Sequence, residues 1–257
     1  MGHRNLTGMT EVAAGVDEIS PRCWMRSKNR IKKMTGCNMQ SSASYYLLDH
    51  TRETTMKLYQ GIGPNSYRVR IFLKEKRIEV PMVEIDFAKG EHRAPEFLTL
   101  NSLGQIPVLE LDDGTIITES VAICRYFEEV HPEPPLFGSD AVSRAKVEMW
   151  NRRAELVIFA TIGNVALHSD ALFKDRLTQF PAFAETERRA VPKKWAWLDR
   201  ELADGRPFLA GEAFSVADIT AGVCGWLADV FGMEIPPELK NVQRWNERVR
   251  SRPSWNA

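Results

Sequence analysis

The sequence predicts a mixed α/β segment built on a four-stranded sheet, followed by an all-helical segment. Three observations support this fold class. Residues 57–85 read as strand, helix, strand, a pattern typical of a parallel βαβ unit. Residues 108–117 read as two strands joined by a tight turn, which requires an antiparallel pair. After Asp140 the apolar residues recur at helical spacing and strand-like runs cease.

The βαβ unit begins with the strand Lys57-Leu58-Tyr59 and ends with the strand Val80 to Ile85. Between them, Val69, Phe72 and Leu73 have the spacing of one buried helix face. Gly61-Ile62-Gly63 follows the first strand and raises the possibility of a dinucleotide-binding loop. That interpretation fails, because Ser66 replaces the third glycine and no further βα units follow.

The hairpin pairs Val108–Leu111 with Thr115–Ile117 across Asp112-Asp113-Gly114. The next helix is expected to start at Glu119 and Ser120, with Thr118 as its N-cap. Further along, Ser215 and Asp218 have the spacing of a capping box at the start of an apolar helix.

The division of the chain is expected at a proline-rich stretch, residues 131–138. We expect an α/β domain at 56–132, a linker at 133–140 and a helical domain at 141–257. Residues 1–55 are polar, carry more basic than acidic residues and lack a sustained period. We interpret them as a disordered leader or upstream extension, with Met56 as the functional start; acidic residues argue against a transit peptide.

Composition narrows the functional classes. Basic and acidic residues balance at 34 each, which gives no sign of a nucleic-acid or membrane partner. The four cysteines form no CxxC motif and are expected to be reduced thiols of a cytoplasmic protein. The five histidines are scattered without ligand spacing, so no metal site is expected.

Three motifs carry a resemblance to a known family: Asn101 to Leu109 (NSLGQIPVL), Thr118 to Ile123 (TESVAI) and Phe214 to Ile219 (FSVADI). With them, residues 56–257 resemble a cytosolic glutathione transferase. The resemblance implies a thioredoxin-like N-terminal domain, an all-helical C-terminal domain and a homodimer. It also implies that glutathione is the co-substrate, without a metal, and that its thiolate attacks a small hydrophobic electrophile.

The resemblance implies a set of glutathione-binding residues. Pro107 would follow a cis peptide bond that leaves the backbone of Ile106 free to pair with the ligand. Ser120 and the helix N-terminus suit the γ-glutamyl carboxylate, and Glu119 suits the amine. Pro107 and Glu119 also have ordinary structural explanations. A proline is common at the start of a strand, and an acidic residue in the first turn of a helix complements the helix dipole. Gln105 is a candidate for the glycyl end, and His92 is a weaker one.

The catalytic position departs from the common pattern. Family members use a Tyr, Ser or Cys to stabilise the thiolate, whereas Gly63 occupies the Ser or Cys position. Gly63-Pro64-Asn65 is similar to the Thr-Pro-Asn loop of the bacterial Nu class, so Asn65 is the first candidate, Ser66 the second and Tyr59 the third. Asn65 and Ser66 could instead be helix caps. A Nu-like disulfide or peroxide reductase and an inactive glutathione-binding protein therefore remain alternatives.

The electrophile would bind between the two domains. The expected walls are the loop after the first strand and a helix that passes through Met149, Trp150, Arg153, Val157 and Phe159. Trp150 and Arg153 are the candidates on that helix.

Overall fold

The computed structural model describes residues 55–257 and contains the predicted four-stranded mixed sheet. Its strand order is β2-β1-β3-β4. Strand β1 pairs with β2 in parallel and with β3 antiparallel, and β3 pairs antiparallel with β4. The strands are β1 (Lys57–Gln60), β2 (Met82–Glu84), β3 (Val108–Glu110) and β4 (Ile116–Thr118).

One face of the sheet joins the core. Leu58 and Leu109 are register partners, and both are fully buried. They belong to a hydrophobic cluster with Phe72 of α1 (Pro64–Lys76) and Ile123 of α3 (Ser120–Val130). Helix α2 (Pro95–Leu100) carries Phe97, which packs edge-on against Tyr59 with ring centroids 6.3 Å apart. Because side chains alternate along a strand, Tyr59 and Leu58 point to opposite faces.

The second half of the described chain is helical. Helix α4 continues through a π-helical segment, Ala154–Phe159, directly into α5. Nearly all of α7 is buried, so this helix forms the centre of the helical core. The helices are α4 (Ala141–Arg153), α5 (Ala160–Ser169), α6 (Pro181–Glu201), α7 (Val216–Val230) and α8 (Lys240–Arg250).

The predicted capping box at the start of α7 is confirmed. Asp218 accepts hydrogen bonds from the backbone N–H of Ser215 at 3.0 Å and from its hydroxyl at 2.9 Å. The same carboxylate accepts from the Leu209 N–H at 2.8 Å and from Trp245 Nε1 at 2.9 Å. Asp218 therefore fixes both the start of α7 and its packing against α8.

The C-terminal segment returns to α1. Arg252 forms a bidentate pair with Glu75, with both N–O distances 2.7 Å, and the Ser254 hydroxyl donates to the same carboxylate. Tyr67 on α1 donates its hydroxyl proton to the carbonyl of Trp255 at 2.6 Å. These contacts join the sheet-containing part of the chain to the last residues of the helical part.

The described residues fall within one compact unit, so the division at 133–140 stays a prediction. Leu136 within that stretch is buried, and its carbonyl accepts from the N–H of Val216 at 2.9 Å. The predicted leader at 1–55 lies, apart from Thr55, outside the described residues. No helix in 55–257 has the length and apolar character needed to cross a membrane.

Candidate active site

A small polar cleft lies where α1 and α3 begin beside the loop that precedes β3. It brings together six of the residues predicted from the sequence and one that was not predicted. The lining residues are Asn65, Asn101, Gln105, Ile106, Pro107, Glu119 and Ser120.

The loop before β3 presents free backbone groups to this cleft. The Ile106–Pro107 peptide bond is cis, as the resemblance implied. Within residues 55–257, neither the N–H nor the C=O of Ile106 is hydrogen-bonded. Both groups can therefore pair with an extended peptide, in the manner of an added strand.

Asn101, the lining residue that we did not predict, holds this loop in shape. Its side-chain amide donates to the Gln105 carbonyl at 2.7 Å, and its Oδ1 accepts from the Leu103 N–H at 3.1 Å. An Asn that hydrogen-bonds backbone two residues further on is a known turn former. The Asn101-Ser102-Leu103-Gly104 stretch carried that signal.

Ser120 is the first residue of α3, and Glu119 is the N-cap. The prediction of Thr118 as N-cap is wrong, because Thr118 is the last residue of β4 and Glu119 caps without a side-chain hydrogen bond. Glu119 has φ 65° and ψ 116°, a conformation that is costly for a residue with a side chain. Such strain is concentrated at binding and active sites. The helix N-terminus at Ser120 favours an anion in the cleft.

Asn65 lies at the N-terminus of the other helix, α1. Gly63 is the N-cap and Pro64 the first helical residue, so neither Asn65 nor Ser66 is the cap that their residue types suggested. Asn65 lines the cleft. Ser66 is 1% exposed, and its hydroxyl oxygen accepts from the Gly61 N–H at 3.4 Å.

Gly61, in the loop between β1 and α1, packs closely against its neighbours. A Cβ atom on Gly61 would lie 2.7 Å from the carbonyl oxygen of Ile85 and 3.0 Å from the Ile106 side chain. Only glycine fits here without displacing backbone. The β1–α1 loop therefore packs directly against the backbone of Ile85 and the side chain of Ile106.

Residues 54–129 match the family described as glutathione S-transferase, N-terminal domain, and residues 172–248 match glutathione S-transferase, C-terminal domain. The chain belongs to the glutathione S-transferase family. Glutathione S-transferase 2 of Saccharomyces cerevisiae is 35% identical over 196 residues, which are 75% of this chain and 84% of the yeast protein.

Two further proteins are similar to this chain. A crystal structure of a glutathione S-transferase domain-containing protein from Marinobacter aquaeolei has TM-score 0.73 and 38% identity, covering 77% of this chain and 98% of that one. The disulfide-bond oxidoreductase YfcG of Escherichia coli is 27% identical over 208 residues, 77% of this chain and 91% of that protein.

Tyr59, the third catalytic candidate of this transferase-family chain, is not brought to the cleft. Its hydroxyl donates to Glu110 Oε2 at 2.6 Å. That hydrogen bond, followed by burial and the negative charge of Glu110, raises the pKa of Tyr59 to about 12. The hydroxyl is committed to a carboxylate, so it is poorly suited to stabilise a thiolate.

His92, the weaker glutathione-binding candidate, does not line the cleft either. It is 4% exposed and stacks on Phe87 with ring centroids 4.0 Å apart. Burial, together with the positive charges of Arg176 and Arg93, lowers the pKa of His92. The prediction that His92 contacts the ligand is therefore not supported by its position in this structure.

Trp150 and Arg153 lie in a different cleft from the one expected. That cleft is enclosed by α4, the end of α6 and the turn at 204–211, without residues of the β1–α1 loop. Arg153 lies over the Trp150 ring at 4.9 Å, and Trp150 stacks on Trp197 with centroids 6.0 Å apart. None of the residues that line the polar cleft at the start of α1 and α3 takes part in this second cleft, so an electrophile site at Trp150 and Arg153 stays a prediction.

The two cysteines of the described region, Cys124 and Cys224, are free thiols and both are buried. Burial raises the pKa of both Cys124 and Cys224 to about 12, so both thiols stay protonated at neutral pH. Among residues 55–257, no group of three or more His, Cys, Asp or Glu side chains is arranged to hold a metal ion.

Proposed function

We propose that the chain is a glutathione transferase that binds glutathione in the cleft between α1, α3 and the Ile106–Pro107 loop. The observation that carries this proposal is the convergence of Ile106, Glu119 and Ser120 on one cleft. Glutathione has a backbone, an amine and two carboxylates, and each finds a complementary group there. Membership of the family supports the same conclusion.

The groups of the cleft suggest one orientation for the ligand. The γ-glutamyl carboxylate would accept from Ser120 and the α3 N-terminus, while Glu119 would accept from the amine. The cysteinyl backbone would pair with Ile106, and Gln105 would hold the glycyl end. This orientation directs the thiol toward the N-terminus of α1, where Asn65 lies.

The chemistry requires a thiolate, since that form is the nucleophile. The Asn65 amide and the helix dipole of α1 would stabilise the negative sulfur and so lower the thiol pKa. The sulfur lone pair then forms a bond to carbon of the electrophile, and a halide or similar group leaves with the bonding electrons. Ile62, 94% exposed on the same loop, offers an apolar surface to a small hydrophobic electrophile.

A second candidate activity is the reduction of disulfides or peroxides with two glutathione molecules. Gly63 supplies no hydroxyl or thiol at the position where many relatives have one. The similarity to an Escherichia coli disulfide-bond oxidoreductase also favours this candidate. A glutathione-binding protein without turnover is the third candidate.

One set of assays separates these activities. Glutathione affinity is measured first by calorimetry, and turnover is then measured with an aryl halide and with a small disulfide. Conjugation of the aryl halide supports the transferase, whereas reduction of the disulfide alone supports the reductase. Binding without either reaction supports the third candidate, and absence of glutathione binding contradicts all three.

We further propose a cytoplasmic homodimer, in which the sheet-containing part of one subunit contacts the helical part of its partner. Two-fold pairs of this kind are the commonest oligomers. Light scattering at micromolar concentration should give about twice the chain mass of 29.2 kDa. A mass of a single chain would contradict the dimer.

A further inference from the structure

Arg68 is a buried cation directly behind the cleft. It lies on α1, only 2% of it is exposed, and its Nη1 donates to the Ser120 hydroxyl oxygen at 2.8 Å. The same nitrogen is 3.1 Å from Oε1 of Glu155. Arg68 thus connects a residue that lines the cleft to the π-helical segment of the helical part.

The guanidinium is only partly compensated. Its Nε and Nη2 atoms are buried and have no hydrogen-bond partner among the described residues. Glu155 is also shared, because its Oε2 accepts from Arg152 at 2.9 Å. One carboxylate therefore lies between two cations, so Glu155 offsets the charge of Arg68 only in part. Burying a charge with unpaired donors is costly.

The hydrogen bond from Arg68 determines whether the Ser120 hydroxyl can donate to a ligand in the cleft. A hydroxyl has one proton to donate and two lone pairs that accept. Since the oxygen accepts from Arg68, its proton is free to donate into the cleft. Donation to a carboxylate is stronger when a positive charge polarises the donor in a poorly solvated site.

We propose that Arg68 is a positioning residue, which orients the Ser120 hydroxyl and supplies the positive charge that selects ligands carrying the γ-glutamyl carboxylate. The inference rests on the proposed function, because it concerns the same cleft. It assigns no ligand contact to Arg68, which acts through Ser120. The cost of the buried charge is then a requirement of anion recognition and not of folding.

The test compares two peptides with two variants. Glutathione and γ-aminobutyryl-cysteinyl-glycine differ only in the carboxylate of the first residue. Calorimetry gives the affinity of both peptides for the parent, for Arg68→Met and for Lys74→Met. Lys74 is an exposed cation on the same helix, so its replacement controls for the loss of one charge.

Arg68→Met should weaken glutathione binding at least tenfold and change binding of the decarboxylated peptide less than twofold. Lys74→Met should bind both peptides as the parent does, and circular dichroism should show that Arg68→Met is folded at the temperature of the measurement. Equal losses for both peptides with a lower melting temperature would assign Arg68 a purely structural role. Unchanged glutathione affinity would also overturn the proposal.

If Arg68→Met does not fold, Glu155→Gln tests the role of Arg68 instead. The amide keeps the shape of the side chain and removes the negative charge that offsets Arg68. Glutathione should then bind several-fold more tightly, with no gain for the decarboxylated peptide; weaker or equal binding of glutathione would contradict the inference. If the parent binds neither peptide, the proposed function itself is contradicted. If the parent binds glutathione and the variants bind it with the same affinity, only the role of Arg68 is contradicted.

Discussion

At the scale of single residues, Gly63 has no side chain to stabilise a thiolate, and the proposed donor is Asn65, which lines the cleft. Asn65→Ala should raise the pKa of glutathione bound in the cleft and lower turnover at neutral pH by about tenfold, equivalent to ~1.4 kcal/mol. Affinity for glutathione should change less. Ultraviolet titration of the bound thiolate measures the first effect, and steady-state kinetics measure the second.

Ser66→Ala and Tyr59→Phe are the controls for Asn65. Ser66 is buried and does not cap α1, so its loss should cost stability of about 1 kcal/mol with little change in rate. Tyr59→Phe should leave turnover unchanged, because its hydroxyl is held by Glu110. An inactive Ser66→Ala with a normal Asn65→Ala would transfer the role to the serine.

The cleft residues could be predicted because their motifs are local. Gln105, Ile106 and Pro107 are contiguous, and each has a distinct backbone or side-chain chemistry. The conformation of Glu119 could not be predicted, since nothing in its residue type favours a positive φ. The direction of Tyr59 depends on its strand face, and its partner Glu110 is 51 residues away.

At the scale of elements, Asp218 connects the start of α7 to two other parts of the fold. Asp218→Asn replaces one carboxylate oxygen with an NH2 group, which cannot accept the hydrogen bonds donated by Leu209, Ser215 or Trp245. At least one of these donors would lose its partner. We expect a loss of about 2–4 kcal/mol in the free energy of unfolding, measured with urea. Ser215→Ala should cost about 1 kcal/mol. A loss below that of Ser215→Ala would contradict the role of Asp218.

The capping box at the start of α7 was predictable from four residues of sequence, whereas the neighbours of a helix face were not. Trp150 and Arg153 lie on the same stripe of α4, and periodicity shows that a stripe exists. Which neighbour covers the stripe depends on tertiary packing. Here the end of α6 and the turn at 204–211 line a cleft with this stripe, and nothing in the sequence pattern indicated either neighbour.

At the scale of the whole molecule, the pair between Glu75 and Arg252 fastens the C-terminal segment to α1. Burial alone would raise the pKa of Glu75, but hydrogen bonds from Arg252 and Ser254 outweigh it and hold the pKa below its usual value. A depressed carboxyl pKa contributes stability that is present above the unfolded-state pKa and lost as pH falls.

The free energy of unfolding should therefore fall as the pH drops below about 4.5 toward the folded-state pKa of Glu75. Glu75→Gln should lower stability at neutral pH and make this pH dependence shallower. Glu79→Gln, at an exposed position near the end of the same helix, is the control and should follow the parent. Parallel pH profiles for the parent and Glu75→Gln would contradict the role of the pair.

The parallel pair of β1 with β2 and the antiparallel pair of β3 with β4 were predictable, because a βαβ unit and a tight hairpin are short-range features with few alternatives. The contact between Arg252 and Glu75 spans 177 residues and leaves no pattern in the sequence. The same holds for the buried link from Arg68 to Glu155, which is 87 residues long. Long-range polar contacts of this kind are set by how the elements pack.

The central claim is that glutathione binds where α3 begins, and calorimetry tests it most directly. The double variant Glu119→Ala with Ser120→Ala should lose about 3 kcal/mol or more of binding free energy, because two charge-assisted hydrogen bonds are removed. Asp140→Ala with Ser143→Ala alters the start of α4 in the same way and should bind glutathione as the parent does. Unchanged glutathione affinity in the Glu119 and Ser120 double variant would contradict the entire site assignment.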